Sequence, residues 1–257
     1  NSSVDSHGAL QIFVVLHSPR VVKLIDKNGV VQGDKRVHEC DVWYFFGATM
    51  SKGKKNDHDF HNACLEEIVN HYQDKRSRDN GTSLTRIRIW TDNCGSQYKC
   101  RHNFWKIATF PSRVAGVEVW HRFAQKYDFK GVWDAAGKVV KQKIRTCEIE
   151  RKKRFPTAWS CFVDLPLLLG KLAPKTDWKQ LEREKDPKLL QKGIFVNSNR
   201  YFGYVSDIKE EYQLERNNYR HVVYADRENV PSTKRVDDTL KLHSVCGGRE
   251  GRLTAQL

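Results

Sequence analysis

Two aspartates stand where a strand pattern gives way to a helical one, and both can offer hard oxygen ligands. Ile87 and Ile89 alternate with Arg86, Arg88 and Trp90, and the run stops in the turn-forming cluster Asp92-Asn93-Cys94-Gly95-Ser96. Asp92 is thus placed at the carboxyl end of a predicted strand, where α/β proteins commonly set ligand-binding groups. Val117, Val119, His121 and Phe123 alternate with Glu118, Trp120 and Arg122 as a second strand, and Lys130 to Lys141 then opens a helix with Asp134 near its start. Carboxylates on neighbouring elements of a rigid sheet can hold two Mg²⁺ ions about 3.5–4 Å apart. Such a pair neutralises an attacked phosphate and activates a hydroxyl for phosphoryl transfer on a nucleic-acid backbone. A plainer role fits the same residues, since short polar side chains also start turns and cap helices.

The cations give the Asp134 helix its direction. Asp134, Lys138, Lys141 and Arg145 fall at steps of four, three and four, so one carboxylate and three positive charges share a stripe. Ala136, Val140, Ile144 and Cys147 share another, which is the expected packed face. The charged stripe suits either a phosphate track or an ordinary solvated surface.

Other chemistries have weaker patterns. His58, His61 and Cys64 recur at steps of three, and Cys94, Cys100 and His102 lie close together, but neither set has the paired Cys-x-x-Cys of a zinc site. Cys94 with His102 or His121 could serve as a thiol nucleophile, without any local signature for it. Trp90, Trp105, Trp120 and Trp133 can stack on bases, although residues of this type more often fill a core or cover its edge.

In these two blocks the chain resembles the catalytic domain of the DDE-type transposase and integrase superfamily. It is most similar to eukaryotic transposon-derived proteins with a Ser-Asp-Asn/Gly-x-x-x-Gln-x-Lys motif followed, one strand later, by His-Gly-Lys-Gly-x-x-Asp-Gly-x-Gly-Gly-x-x-Lys. Thr91, Asp92, Asn93, Gln97 and Lys99 match the first motif, with Thr91 in place of Ser; Lys130, Gly131, Asp134, Gly137 and Lys141 match the second. Asp128 and Phe129 stand where the family has His-Gly, and Ala135 and Ala136 replace two glycines. The resemblance runs from Asp41 to Arg145. It implies an RNase H-like fold, DNA as partner, Mg²⁺ or Mn²⁺ as cofactor, and strand cleavage or transfer of the nuclease type. Asp92 and Asp134 would be the second and third acids of a metal-binding trio, and Gln97, Lys99, Lys130 and Lys141 would orient the backbone. In that family the first acid lies on the first strand. The only carboxylate ahead of the apolar run Leu10 to Leu16 is Asp5, in a polar segment with no strand pattern, and Asp41 opens a strand at the wrong place in the order. The expectation is therefore a site that lacks its first acid and has little or no activity. A non-enzymatic nucleic-acid-binding or interaction module on the same fold is the alternative.

Composition agrees with a nucleic-acid partner. Across 257 residues Lys plus Arg outnumber Asp plus Glu by 45 to 31, a net charge of +14 distributed along the chain. Such a field concentrates polyanions, nucleic acid first among them, although an acidic protein partner or simple solubility also suits it. Seven cysteines without regular spacing argue against a secreted disulfide framework. No early segment reads as a signal peptide, and no run approaches the ~20 apolar residues that span a bilayer. A nuclear or cytoplasmic location is expected, DNA binding favouring the nucleus.

The elements expected to position these residues follow in order. Leu10 to Leu16, Val21 to Ile25 and Asp41 to Phe46 read as strands, with a turn at Asp26 to Gly29. Phe60, Cys64, Leu65, Ile68 and Tyr72 mark an amphipathic helix, and Lys75 to Thr82 reads as a charged linker. The Asp92 strand leads to a helix ending at Pro111, then to the second strand and the Asp134 helix. This is the order of an α/β fold of RNase H-like type: a mixed sheet with helices on both faces, followed by a small C-terminal α+β appendage. The expected divisions are a core over 9–147 with its first strand unaccounted for, a helical extension over 148–192 including Trp178 to Leu190, and a β-rich appendage over 193–257. Its strands are read at Tyr201 to Val205, His221 to Tyr224 and Leu242 to Val245.

Overall fold

Period-two and period-3.6 patterns resolve into nine strands and four helices in a computed structural model that describes residues 9–17, 20–25, 28–47, 58–95, 97–124, 132–150, 154–169, 194–206, 219–223, 241–248 and 252–256. The strands form two mixed sheets, so the protein is a mixed α/β fold. The chain divides into two compact units, Asn1–Phe46 with Gly131–Tyr204 and Gln213–Arg220, and Gly47–Lys130 with Val205–Tyr212 and His221–Leu257. Asp5, Lys130 and the segment Trp178 to Leu190 lie outside the described residues.

The first sheet takes β1 (Ala9–Leu16), β3 (Val31–Gly47), β6 (Ile194–Ser206) and β7 (Tyr219–Val223) in that order, with β2 (Arg20–Ile25) also paired to β3. The β2–β3 ladder is antiparallel and shifts register between Leu24 and Ile25, opposite Gly33 and Val31. Gly33 has φ of 144° there, a conformation open to glycine. From Cys40 to Phe46 every residue of β3 is buried, which fits a central strand covered on both faces. Trp43 stacks on Tyr201 at 4.2 Å and Tyr44 on Phe202 at 5.4 Å. The Phe45 ring fills the space that a Cβ at Gly203 would need. Asp41 is fully buried in this layer, where His17 Nε2 and Asn199 Nδ2 each lie 2.9 Å from one of its oxygens. That offsets the cost of burying a carboxylate and commits both oxygens to the core.

Two helices belong to the same unit. α3 (Val132–Glu150) buries Val140 and Cys147, while Asp134, Lys138, Lys141 and Arg145 are all exposed. The predicted two-sided helix is the observed one. α4 (Ala158–Leu169) begins with a reciprocal cap in which Ser160 N donates to Thr157 Oγ1 at 3.1 Å and Thr157 N to Ser160 Oγ at 3.2 Å. It continues through Pro166, a residue type that ordinarily breaks or kinks a helix interior.

In the second unit β4 (Arg86–Thr91) pairs with β5 (Glu118–Phe123) in parallel, and β8 (Ser244–Gly247) and β9 (Leu253–Gln256) extend the sheet antiparallel. The strands read near the carboxyl end thus join existing sheets: β6 and β7 lie in the first, β8 and β9 in the second. α1 (His58–Asn80) contributes Leu65 and Val69, and α2 (Arg101–Arg113) contributes Phe104, Ile107 and Phe110, to one core with Ile89, Val119, Phe123 and Val245. The sequence order predicts helices on both faces of the sheet, whereas α1 and α2 share one face of this one. α1 runs through most of the predicted linker, since Asp, Lys, Arg and Ser tolerate a helix and Gly81, at φ of 61°, supplies the left-handed turn that ends it. α2 likewise includes Pro111, whose missing N–H leaves the Ile107 carbonyl without its helical donor. That carbonyl lies against Gly247 of β8, where a Cβ would collide with it.

Candidate functional site at the carboxyl edge of β4 and β5

Parallel pairing sets Thr91 opposite Phe123, so β4 and β5 end on the same edge of the sheet. Ala124 N donates to Thr91 O at 2.9 Å and closes this edge. The Thr91 hydroxyl donates to Asp92 O at 3.0 Å and lies 2.8 Å from His121 Nε2. With its one proton used on Asp92 O, the hydroxyl must accept from His121, which fixes the imidazole as the Nε2–H tautomer. His121 is fully buried and its pKa is held well below the ordinary value by burial and by neighbouring His61. His61 is buried too, lowered to about 3 by the loss of water. Tyr98 meets both rings edge-on, at 4.9 and 5.8 Å. Burial first, and then the nearby Asp92 and Cys94, push its phenol up and keep it neutral. A dry, uncharged floor therefore lies beneath the edge.

Asp92 itself is exposed. Its Oδ1 accepts from Cys94 N at 3.2 Å, an Asx turn that bends the chain out of β4. The helix-cap role open to it in the sequence is not taken, because α2 begins only at Arg101 and its N-cap Cys100 makes no side-chain cap bond. The loop is held instead by a relay of amides. Tyr98 N donates to Cys94 O at 2.9 Å, Asn103 Nδ2 to Tyr98 O at 2.7 Å, and Asn62 Nδ2 to Asn103 Oδ1 at 3.0 Å. Asn62 and Asn103 are buried and tie the start of α2 to α1, which fixes the Asp92 loop between two helices.

Beside Asp92 lies a cavity of about 250 Å³ lined by Asn93, Lys99, Phe123, Ala124, Lys241, Leu242 and His243. Lys99 is buried, its Nζ 5.0 Å from the centre of the Phe123 ring, and burial lowers its pKa. No motif or periodicity marks Lys241 or His243 in the sequence. They reach the cavity because β8 pairs antiparallel with β5, and Phe123 N donates to His243 O at 2.9 Å. Their one sequence signal is a basic pair flanking the start of a short apolar strand. Two lysines and a histidine around one cavity can hold an anion.

The other predicted site residues are distributed as follows. Gln97 lies half-buried in the Asp92 loop and Lys99 lines the cavity. Asp134, Lys138, Lys141 and Arg145 belong to the first unit, Asp92 to the second. Among the described residues no three His, Cys, Asp or Glu side chains converge as metal ligands. His58 turns to Asp59 at 3.3 Å and stacks on His102 at 4.9 Å, while His61 and Cys64 are buried in the core, so the zinc spacings do not assemble a site. Single carboxylates suit Mg²⁺ better, since it keeps several waters and takes one or two carboxylates plus phosphate oxygens. No described helix is long and apolar enough to cross a membrane. No known family model, curated protein or solved structure matches the chain.

Proposed function

We propose that this chain is a transposon-derived nucleic-acid-binding domain whose Asp92 edge is an RNase H-like site for Mg²⁺-dependent phosphoryl transfer. The observation that carries the proposal is an exposed carboxylate at the shared carboxyl edge of two parallel strands, beside a cavity lined by Lys99, Lys241 and His243. Asp92 would hold the cation, the motif resemblance naming Asp134 as a further acid, and the cation would supply charge neutralisation at the attacked phosphate. The chain's own residues do the rest. The lysines bind backbone phosphates, and the Asx turn and the asparagine relay hold Asp92 in place. The motif resemblance over Asp41 to Arg145 supports the same reading, with DNA as partner and nuclear location as its corollary. Asp41, hydrogen-bonded in the core of the first unit, is not offered as a third ligand.

A second reading, a binding module without chemistry on the same fold, is favoured by the lack of three converging metal ligands among the described residues. Calorimetry with Mn²⁺ and a strand-nicking assay separate the two. In the enzymatic reading Asp92→Asn weakens metal binding and abolishes nicking while DNA affinity stays. Metal isotherms identical in wild type and mutant would leave the binding module.

A further inference from the structure

The sheet of the second unit has a face that neither α1 nor α2 covers. Alternation along β4 and β5 sends Ile89, Thr91, Val119, His121 and Phe123 to the buried side, and Arg86, Arg88, Trp90, Trp120 and Arg122 to the other. Trp90 is 52% exposed, a large apolar surface for a soluble face to leave in water.

The arrangement on this face is ordered. Trp90 stands opposite Arg122 and Arg88 opposite Trp120, so each tryptophan faces an arginine across the strands. The Arg122 guanidinium lies 5.1 Å from the Trp90 ring centre, and that of Arg86 5.1 Å from Trp120. Each indole is braced by a cation, which limits the side-chain freedom a ligand would have to freeze. Arg86 is also neutralised by Glu118 at 2.9 Å, leaving Arg88 and Arg122 as the net charge of the patch. The indole N–H of Trp120, shielded from solvent, has no hydrogen-bond partner among the described residues. Ser244, Cys246, Thr254 and Gln256 carry the face onward with small or polar side chains.

We infer that this Trp90–Trp120–Arg88–Arg122 face is a stacking platform for single-stranded nucleic acid. Trp90 and Trp120 stand diagonal to one another on adjacent strands, roughly 8 Å apart by strand geometry, a spacing that gives separate bases separate rings. Indole faces take unpaired bases of any sequence, while arginines meet the backbone phosphates. A duplex hides its base faces and gains only the charge. A second copy of the same cationic face would set arginine against arginine. This inference rests on the reading that the chain handles nucleic acid, and adds to it a strand-selective sheet face that adjoins the Asp92 edge.

The test is fluorescence anisotropy of the 257-residue chain with a labelled oligothymidylate and with a duplex of equal length. Trp90→Ala, at an exposed position, is expected to weaken single-strand binding by roughly 5- to 150-fold and to leave duplex binding nearly unchanged. Trp90→Phe should restore much of the loss, and Arg88→Ala should lower the single-strand salt slope by about 0.7. Duplex binding with a single-strand affinity indifferent to Trp90→Ala would overturn the platform alone. Failure of the wild-type chain to bind either probe would overturn the platform together with the nucleic-acid reading. Self-association that Trp90→Ala abolishes, with oligonucleotide affinity unchanged, would assign the face to a second copy and also overturn the proposal.

Discussion

The Thr91 hydroxyl accepts from His121 Nε2 across 2.8 Å and donates to the carbonyl of Asp92, joining the ends of two parallel strands to the first residue of the loop that carries the carboxylate. These bonds give the hydroxyl at position 91 a structural role at the strand ends. Thr91→Val keeps the shape and strands the buried imidazole N–H, with an expected cost of about 1–3 kcal/mol. Thr91→Ser should cost less than about 1 kcal/mol, since it loses only a methyl. Urea unfolding of the three proteins at pH 7 checks the order.

The buried histidines set an acid limit. His61 falls from an ordinary 6.5 to about 3 through burial, and His121 well below its ordinary value through burial and His61. Both fold neutral, whereas the unfolded chain takes up protons as pH drops through 6.5. Their contribution is complete above that pH and is lost as pH falls toward the folded values, at up to about 1.4 kcal/mol per pH unit for each ring. His58 runs the other way. Burial would depress it, but hydrogen bonds to Asp59 and Cys100 push it up to about 9, so its smaller stabilisation is present below 6.5 and fades as pH rises through 9. Urea midpoints at pH 7 and pH 5 should differ strongly in wild type and less in His61→Phe.

Strong local patterns are legible in the sequence. The β4 and β5 alternation, the Asp92 turn and the two faces of α3 follow from side-chain periodicity, which burial enforces. Prolines mislead, because Pro111 and Pro166 lie in the later turns of their helices, where tertiary packing outweighs one missing hydrogen bond. Lys241 and His243 stay hidden because their position depends on a pairing of β8 with β5 between residues more than a hundred apart, and periodicity carries no register across such a distance. Residue type alone assigns Trp90 to a core or its edge, although its place among the arginine positions of β4 already assigns it to the polar face.

Gly247 tests the packing of β8 against α2. A Cβ there would run into the Ile107 carbonyl and the Ala108 Cα, backbone atoms that no rotamer change can move. Gly247→Ala is expected to destabilise the second unit by about 1–3 kcal/mol and to loosen β8 from β5. The expected signature in hydrogen exchange is reduced protection of the paired β5 and β8 amides, with the β2–β3 amides of the first unit unchanged.

Salt dependence distinguishes working cations from merely exposed ones. Lys241 lines the cavity beside Asp92, and Lys138 and Lys141 follow Asp134 on the exposed stripe of α3, whereas Lys143 lies on the opposite side of that helix, also exposed. If the first three neutralise phosphates, each substitution by Ala lowers the slope of log affinity against log salt for duplex DNA by about 0.9, since binding then displaces one fewer counterion. Lys143→Ala changes the net charge by the same amount and should leave the slope alone. The comparison therefore separates direct phosphate binding from a diffuse field. Equal slopes for Lys241→Ala and Lys143→Ala would remove the cavity from the nucleic-acid interface, and a slope lowered by Lys241→Ala alone would place the bound phosphate at the Asp92 edge.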